Sequence, residues 1–287
     1  MRLHVLYRST GPENAKGRPA YHSKLRSLLS LLRSWDAVEA PRGDLVFLNN
    51  GPIPADRLAV MHRAGRVESL SGLELHESYW AAVSLALERP DGDLVLFAED
   101  DHLYRVEALS ELVAAAGRLP EVSYLATYAS TTAGMPNGEP LHEGLRVPRV
   151  GDAPLTDGWQ RGLSHTSSFA VRVEALRRDA RLHQLAPRCG GAWDHSLALA
   201  YQGLAPYGPA GMAEPLREPR MGSASRRAKV VVWRGALTAA ALARRRSPSL
   251  LAAARPCLST HVESGVIALG TDWEAEAVAA EAYTPVG

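Results

Sequence analysis

Three consecutive carboxylates, Glu99, Asp100 and Asp101, sit in the stretch VLFAEDDHLYR at 95–105, directly behind an apolar run. An acid cluster pressed against a core is costly unless something positive meets it, so a metal ion, an arginine or water must face these side chains. Two other segments carry isolated groups of reactive type. Asp194 follows two glycines, an alanine and a tryptophan in GGAWDHSLALAYQG at 190–203, and His261 lies in CLSTHVESG at 257–265. Polar residues also follow the first two strand-like runs: Tyr7, Arg8, Ser9 and Thr10, then Asn49, Asn50 and Gly51.

The elements that must position these groups alternate through the first half. LHVLYRS, DLVFLNN, RVESL, DLVLFAED and VSYLATY read as short strands, and the segments between them have helical spacing. Leu25, Leu28, Leu29 and Leu32 form one apolar stripe, and Tyr79, Val83 and Leu87 another. Such alternation predicts an α/β fold with a mostly parallel sheet flanked by helices. Ligands of such sheets bind beyond the C-terminal strand ends, where all three polar clusters fall.

After about residue 130 the pattern changes. The stretch from Thr131 to Trp159 is dense in Gly and Pro and reads as turns. HTSSFAVR then reads as a strand, and VEALRRDARL and AWDHSLALAYQG as helices, so the second half is an irregular α+β region expected to pack on the open side of the sheet. Residues 208–229 are poor in apolar side chains and carry Arg217, Arg220, Arg226, Arg227 and Lys229, which predicts a mobile loop. The helix around GALTAAALARRR is expected to pack on the core. No repeat or linker divides the chain, so 1–287 is read as a single domain, with halves 1–130 and 131–287.

Composition excludes several classes. The 287 residues are 46% hydrophobic and 22% charged with formal net charge +1, which gives no global field for nucleic acid or a membrane surface. The two cysteines, Cys189 and Cys257, are too few for a disulfide framework or a zinc site. No run reads as a signal peptide or a membrane span, so a cytoplasmic protein is expected.

A strand that delivers Glu-Asp-Asp into a cleft within a βαβ half resembles the DXD region of GT-A fold glycosyltransferases, and the order of elements over about 2–270 is similar to that family. The resemblance implies a GT-A-like, Rossmann-type domain whose 1–130 half binds a nucleotide and whose 131–287 half binds sugar and acceptor. It makes Asp101 a direct ligand of Mn²⁺ or Mg²⁺, with Glu99 and Asp100 near the ribose, the sugar or metal-bound water. Hard oxygen ligands suit either ion, which would neutralise the leaving diphosphate. It makes Asp194 the base that takes a proton from an acceptor hydroxyl, and His261 a second metal ligand. Tyr7, Arg8, Thr10 and Asn49 are expected at the nucleotide, and arginines of 217–229 are candidates for the pyrophosphate. His165 and Ser167 precede a strand that the family places beside the sugar.

Each feature also has a plain structural reading: a turn for the acid run, a helix N-terminal acid for Asp194, a satisfied buried ring for His261, a solvated basic loop for the arginines. The functional reading is a metal-dependent enzyme that moves a sugar from a UDP, GDP or dTDP sugar to a small acceptor hydroxyl. A nucleotide-sugar mutase or isomerase on the same scaffold is the alternative, and a non-catalytic nucleotide-binding protein a third. A nucleotidyltransferase is disfavoured because STGPENAKGRP lacks G-x-G-x-x-R spacing. No G-x-S-x-G elbow or P-loop occurs.

Overall fold

The computed structural model of the protein describes residues 1–11, 17–70, 72–128, 154–166, 168–218 and 222–285. The chain runs β1 (Leu3–Thr10), α1 (Lys24–Asp36), β2 (Arg42–Asn50), α2 (Ala55–Ala64), β3 (Arg66–Ser69), α3 (Leu75–Ala86), β4 (Leu94–Glu99), β5 (His102–Tyr104), α4 (Ala108–Arg118) and β6 (Val122–Ala126). It continues through β7 (Pro154–Thr156), β8 (Trp159–Arg161), β9 (Phe169–Arg172), α5 (Val173–Leu185), α6 (Trp193–Tyr201), α7 (Pro209–Arg217), α8 (Ala224–Ala243), β10 (Leu250–Ala254), β11 (Ser259–His261) and α9 (Trp273–Glu281).

The sheet has the order β3-β2-β1-β4-β9-β6-β10-β8-β7. Pairs β3–β2, β2–β1 and β1–β4 are parallel, β9 is antiparallel to both β4 and β6, and β10 is parallel to β6. Most strands therefore point one way, and the architecture is the expected α/β one, a mostly parallel sheet flanked by helices. The central strands are apolar at nearly every position because both faces are covered. Val5, Tyr7 and Phe47 face α1 and α4, while Leu6, Leu48 and Phe97 face α3, α5 and α6, as period-two alternation requires.

α1 starts where Ser23 Oγ accepts the Arg26 N–H at 3.1 Å, and it buries Leu28, Leu31 and Leu32. α3 carries Tyr79 and Val83 to the other face.

The second half departs from expectation in two ways. It does not simply lie on the sheet: β9 is inserted between β4 and β6, and β10, β8 and β7 extend the edge. Nor is 208–229 a loop over most of its described length. α7 and the first turns of α8 occupy it, with Pro209 in the first turn of α7 and Ser223 Oγ accepting the Arg226 N–H at the start of α8. The buried Arg234 organises this region: its Nε donates to the Cys189 carbonyl at 3.1 Å, it pairs with Glu214 at 2.7 Å, and its guanidinium stacks over Tyr207. α8 buries Leu237 and Ala241 against the core, as expected. The turn-rich stretch is outside the described residues up to 153.

Candidate functional site

β1, β2 and β4 end side by side, and their last residues wall a cleft of about 350 Å³. Arg8, Ser9, Thr10, Asn50 and the three carboxylates supply its polar lining, and Leu48, Leu70 and Leu75 supply an apolar side. The three polar clusters singled out in the sequence thus meet here.

The carboxylates have three different partners. Glu99 forms an ion pair with Arg8, whose guanidinium lies over the Tyr79 ring at 5.3 Å. Asp100 is anchored from all sides: Ser9 Oγ donates at 3.0 Å, the Thr10 backbone N–H at 2.7 Å, and the Lys24 ammonium lies at 3.0 Å. Lys24 is 1% exposed and also donates to Thr10 Oγ1 at 2.6 Å. Asp100 therefore fastens the start of α1 to the end of β1, and its partners are protein groups.

Asp101 is held differently. Its Oδ1 lies 3.1 Å from His102 Nδ1, and its Oδ2 lies 3.0 Å from both His261 Nε2 and an Arg18 guanidinium nitrogen. Burial alone would push the Asp101 carboxyl up, but bonds from His102 and His261 and their charges outweigh it and hold the carboxyl well below the ordinary carboxylate range. A two-stranded ribbon explains the meeting. β11 pairs antiparallel with β5, not with the large sheet, and its register sets His261 opposite His102. The two rings stack at 5.2 Å, next to the turn that carries Asp101.

Asp194 lies in the first turn of α6, with its Oδ1 accepting the His195 N–H at 2.9 Å. It is half-buried and is not part of the cleft lining. Burial drives its carboxyl up to about 6; the Glu99 charge adds to this, while the backbone N–H of His195 and the His261 charge oppose it. Asp194, Glu99 and His261 thus share one electrostatic environment. An acid poised near 6 suits proton transfer at neutral pH.

Two expected nucleotide contacts lie elsewhere. Tyr7 is fully buried beneath the strand ends, its ring edge-on to Phe47 at 5.8 Å. Asn49 is 4% exposed and turns its amide toward Met61 of α2. Its neighbour Asn50 faces the cleft, where its amide donates to the Leu73 carbonyl at 2.7 Å and accepts the Leu73 N–H at 3.2 Å. One step along a strand reverses the face. Arg217, Arg226, Arg227 and Lys229 sit on α7 and α8 and do not line the cleft; Arg220 and Ser167 are outside the described residues. His165 is fully buried against Phe169, and burial lowers it to about 4, so it is a neutral core ring.

Sequence reasoning missed Lys24, Arg18 and the role of His102, whose Nε2 reaches Thr166 Oγ1 at 2.9 Å. Lys24 had a signal. A cation in the first turn of a helix opposes the dipole and needs a nearby anion, which Asp100 is.

No protein-family model matches the chain, and no curated protein matches it. Among solved structures it is similar to S. aureus TarS 1–349, at 15% identity over 69% of this chain and 54% of that one, with a TM-score of 0.41. It is also similar to M. tuberculosis glucosyl-3-phosphoglycerate synthase in complex with Mn²⁺, UDP-glucose and phosphoglyceric acid, at 14% identity over 61% and 57% of the two chains (TM-score 0.36). A third is CMP:2-keto-3-deoxy-manno-octonic acid synthetase complexed with CTP, at 14% identity over 63% and 78% (TM-score 0.39). The chain spans about half the length of the TarS chain. Likeness of this extent decides neither substrate nor reaction.

Proposed function

We propose that the protein is a divalent-metal-dependent glycosyltransferase that moves a sugar from a nucleoside diphosphate sugar to an acceptor hydroxyl. The observation that carries this reading is the convergence of Asp101 Oδ2 and His261 Nε2 to 3.0 Å at the end of β4, beside a cleft of nucleotide size.

The donor set fits Mn²⁺ or Mg²⁺. A hard carboxylate oxygen and an imidazole nitrogen suit Mn²⁺ in particular, and adjacent ligands of an octahedral ion at ~2.1 Å stand about 3 Å apart. No cluster of three or more His, Cys, Asp or Glu arranged to hold a metal occurs among the described residues. Two protein ligands are sufficient for such an ion, which usually keeps waters and takes substrate phosphates as its remaining ligands. When bound, it would offset the charge that grows on the departing diphosphate.

The chain's own residues do the rest. Arg8, fixed by Glu99 and Tyr79, offers a guanidinium edge to base, ribose or phosphate. Leu48, Leu70 and Leu75 give the base an apolar wall, and Asn50 offers its amide. Asp194 accepts the acceptor's hydroxyl proton as the new bond to the anomeric carbon forms and the bond to diphosphate breaks, so the electron pair leaves with the diphosphate. In this reading the 1–130 half holds the nucleotide, and the 131–287 half supplies Asp194 and His261 and the space for sugar and acceptor.

The test is incubation of the purified protein with Mn²⁺ and UDP, GDP and dTDP sugars without acceptor, with products read by mass spectrometry and NMR. Slow release of free sugar and nucleotide from one donor, lost in Asp101→Ala, supports the reading. A new nucleotide sugar of unchanged mass would replace it with a mutase. No turnover and no metal-dependent donor binding would overturn it.

A further inference from the structure

Several cations surround the strand ends, and most are committed to fixed partners. Lys24 is held by Asp100 and Thr10, Arg8 by Glu99, and Arg57 donates to the carbonyls of Thr10 and Gly11 at 2.6 and 2.7 Å. Arg18 differs. It pairs with Asp101 on the same oxygen, Oδ2, that faces His261 Nε2. Its other terminal nitrogen donates to the carbonyl of Val262, the residue after His261, and the Gly17 carbonyl accepts the Ser264 N–H at 2.9 Å. The segment that carries Arg18 is therefore stapled to the strand that carries His261.

A guanidinium and a divalent ion cannot share one carboxylate oxygen without strong like-charge repulsion. The bonds to Val262 and Ser264 do not use the Asp101 carboxylate, and Val262 is itself tied to the Asp101 backbone carbonyl at 2.9 Å, so a guanidinium displaced from Oδ2 stays next to the ion. There it can meet the ion's diphosphate, which arginine's planar fork binds through two donors.

We propose that Arg18 is a resident counter-cation that competes with the divalent ion for Asp101 and passes to the diphosphate when ion and donor bind. The inference rests on the metal reading of Asp101 and His261 given above. It assigns Arg18 two opposite effects: it weakens metal binding to the nucleotide-free protein, and it strengthens nucleotide binding to the metal-loaded one.

The experiment is Mn²⁺ titration of the nucleotide-free full chain, followed by electron paramagnetic resonance of free Mn²⁺, for wild type, Arg18→Gln, Arg18→Ala and Asp101→Asn. Arg18→Gln removes the charge and keeps a donor for Val262, so it remains informative if Arg18→Ala melts early. Loss of one charge-assisted contact predicts Mn²⁺ binding about 10-fold tighter in Arg18→Gln, and UDP binding at saturating Mn²⁺ about 10-fold weaker. Asp101→Asn abolishes Mn²⁺ binding. Unchanged or weaker Mn²⁺ binding in Arg18→Gln, with Asp101→Asn still abolishing it, overturns the role of Arg18 and leaves the metal reading standing. Failure of wild type and both Arg18 variants to bind Mn²⁺ overturns both.

Discussion

Replacing Asp194 by Asn should make the protein more stable at neutral pH while disabling it. The carboxyl is driven up to about 6 by burial and by Glu99, so its ionised form is disfavoured in the folded chain. A carboxylate moved that far from its ordinary value carries up to ~3 kcal/mol of penalty when ionised, and solvent reaching the half-buried group reduces this to about 1–2 kcal/mol. Between the unfolded and folded pKa values the native state holds the extra proton, so the penalty is absent at low pH and grows as pH rises from about 4 to about 6. Asn cannot ionise, and its Oδ1 can still accept the His195 N–H. Urea unfolding in EDTA should therefore show Asp194→Asn more stable than wild type by about 1–2 kcal/mol at pH 7.5, with most of the difference gone at pH 4. In its proposed role as general base, its loss should lower turnover by roughly 10²–10⁴-fold, and the wild-type rate should rise with pH through about 6. A variant less stable than wild type at pH 7.5, or one that keeps full turnover, would refute the reasoning.

Further outcomes follow from the packing. Lys24→Met leaves Asp100 as a buried charge without its ammonium and should cost about 3–5 kcal/mol by urea unfolding; Lys24→Met with Asp100→Leu should recover part of that, and a single-variant cost below about 1 kcal/mol would show the pair to be solvated. Asn50→Ala should weaken nucleotide binding in calorimetry, whereas Asn49→Ala should lower stability and leave affinity unchanged, because their amides lie on opposite faces of β2. Gly203 has φ +73°, and an added Cβ would stand 2.8 Å from the Arg245 Cα, so Gly203→Ala should cost about 2 kcal/mol or more in the same unfolding assay.

The central strands and α1 are legible in the sequence because burial on both faces, or along one stripe, leaves a periodic record. The insertion of β9 between β4 and β6 leaves none, since a strand's neighbours are chosen by packing far away in the chain. Residues 208–229 misled for a related reason. Their helices are held by Arg234, Glu214 and Tyr207 more than by an apolar stripe, so the charged composition suggested solvent. Within the site, the carboxylate run was legible as the end of a buried strand, but the pairing of β11 with β5 that carries His261 to Asp101 was not, because it joins segments far apart in the chain. The mistakes at Tyr7 and Asn49 are one-residue errors of face. Arg18 was illegible because its pairing with Asp101 spans 83 positions and its local sequence, AKGRP, carries no periodic signal.

The most direct test of the account is calorimetric titration of UDP, GDP and dTDP into wild type and Asp101→Ala, each with Mn²⁺ and with EDTA. The account predicts that at least one nucleotide binds wild type with Mn²⁺, and that binding falls at least about 10-fold both in EDTA and in the variant. Equal affinity in all four conditions, or no nucleotide binding by a folded wild type, would contradict it.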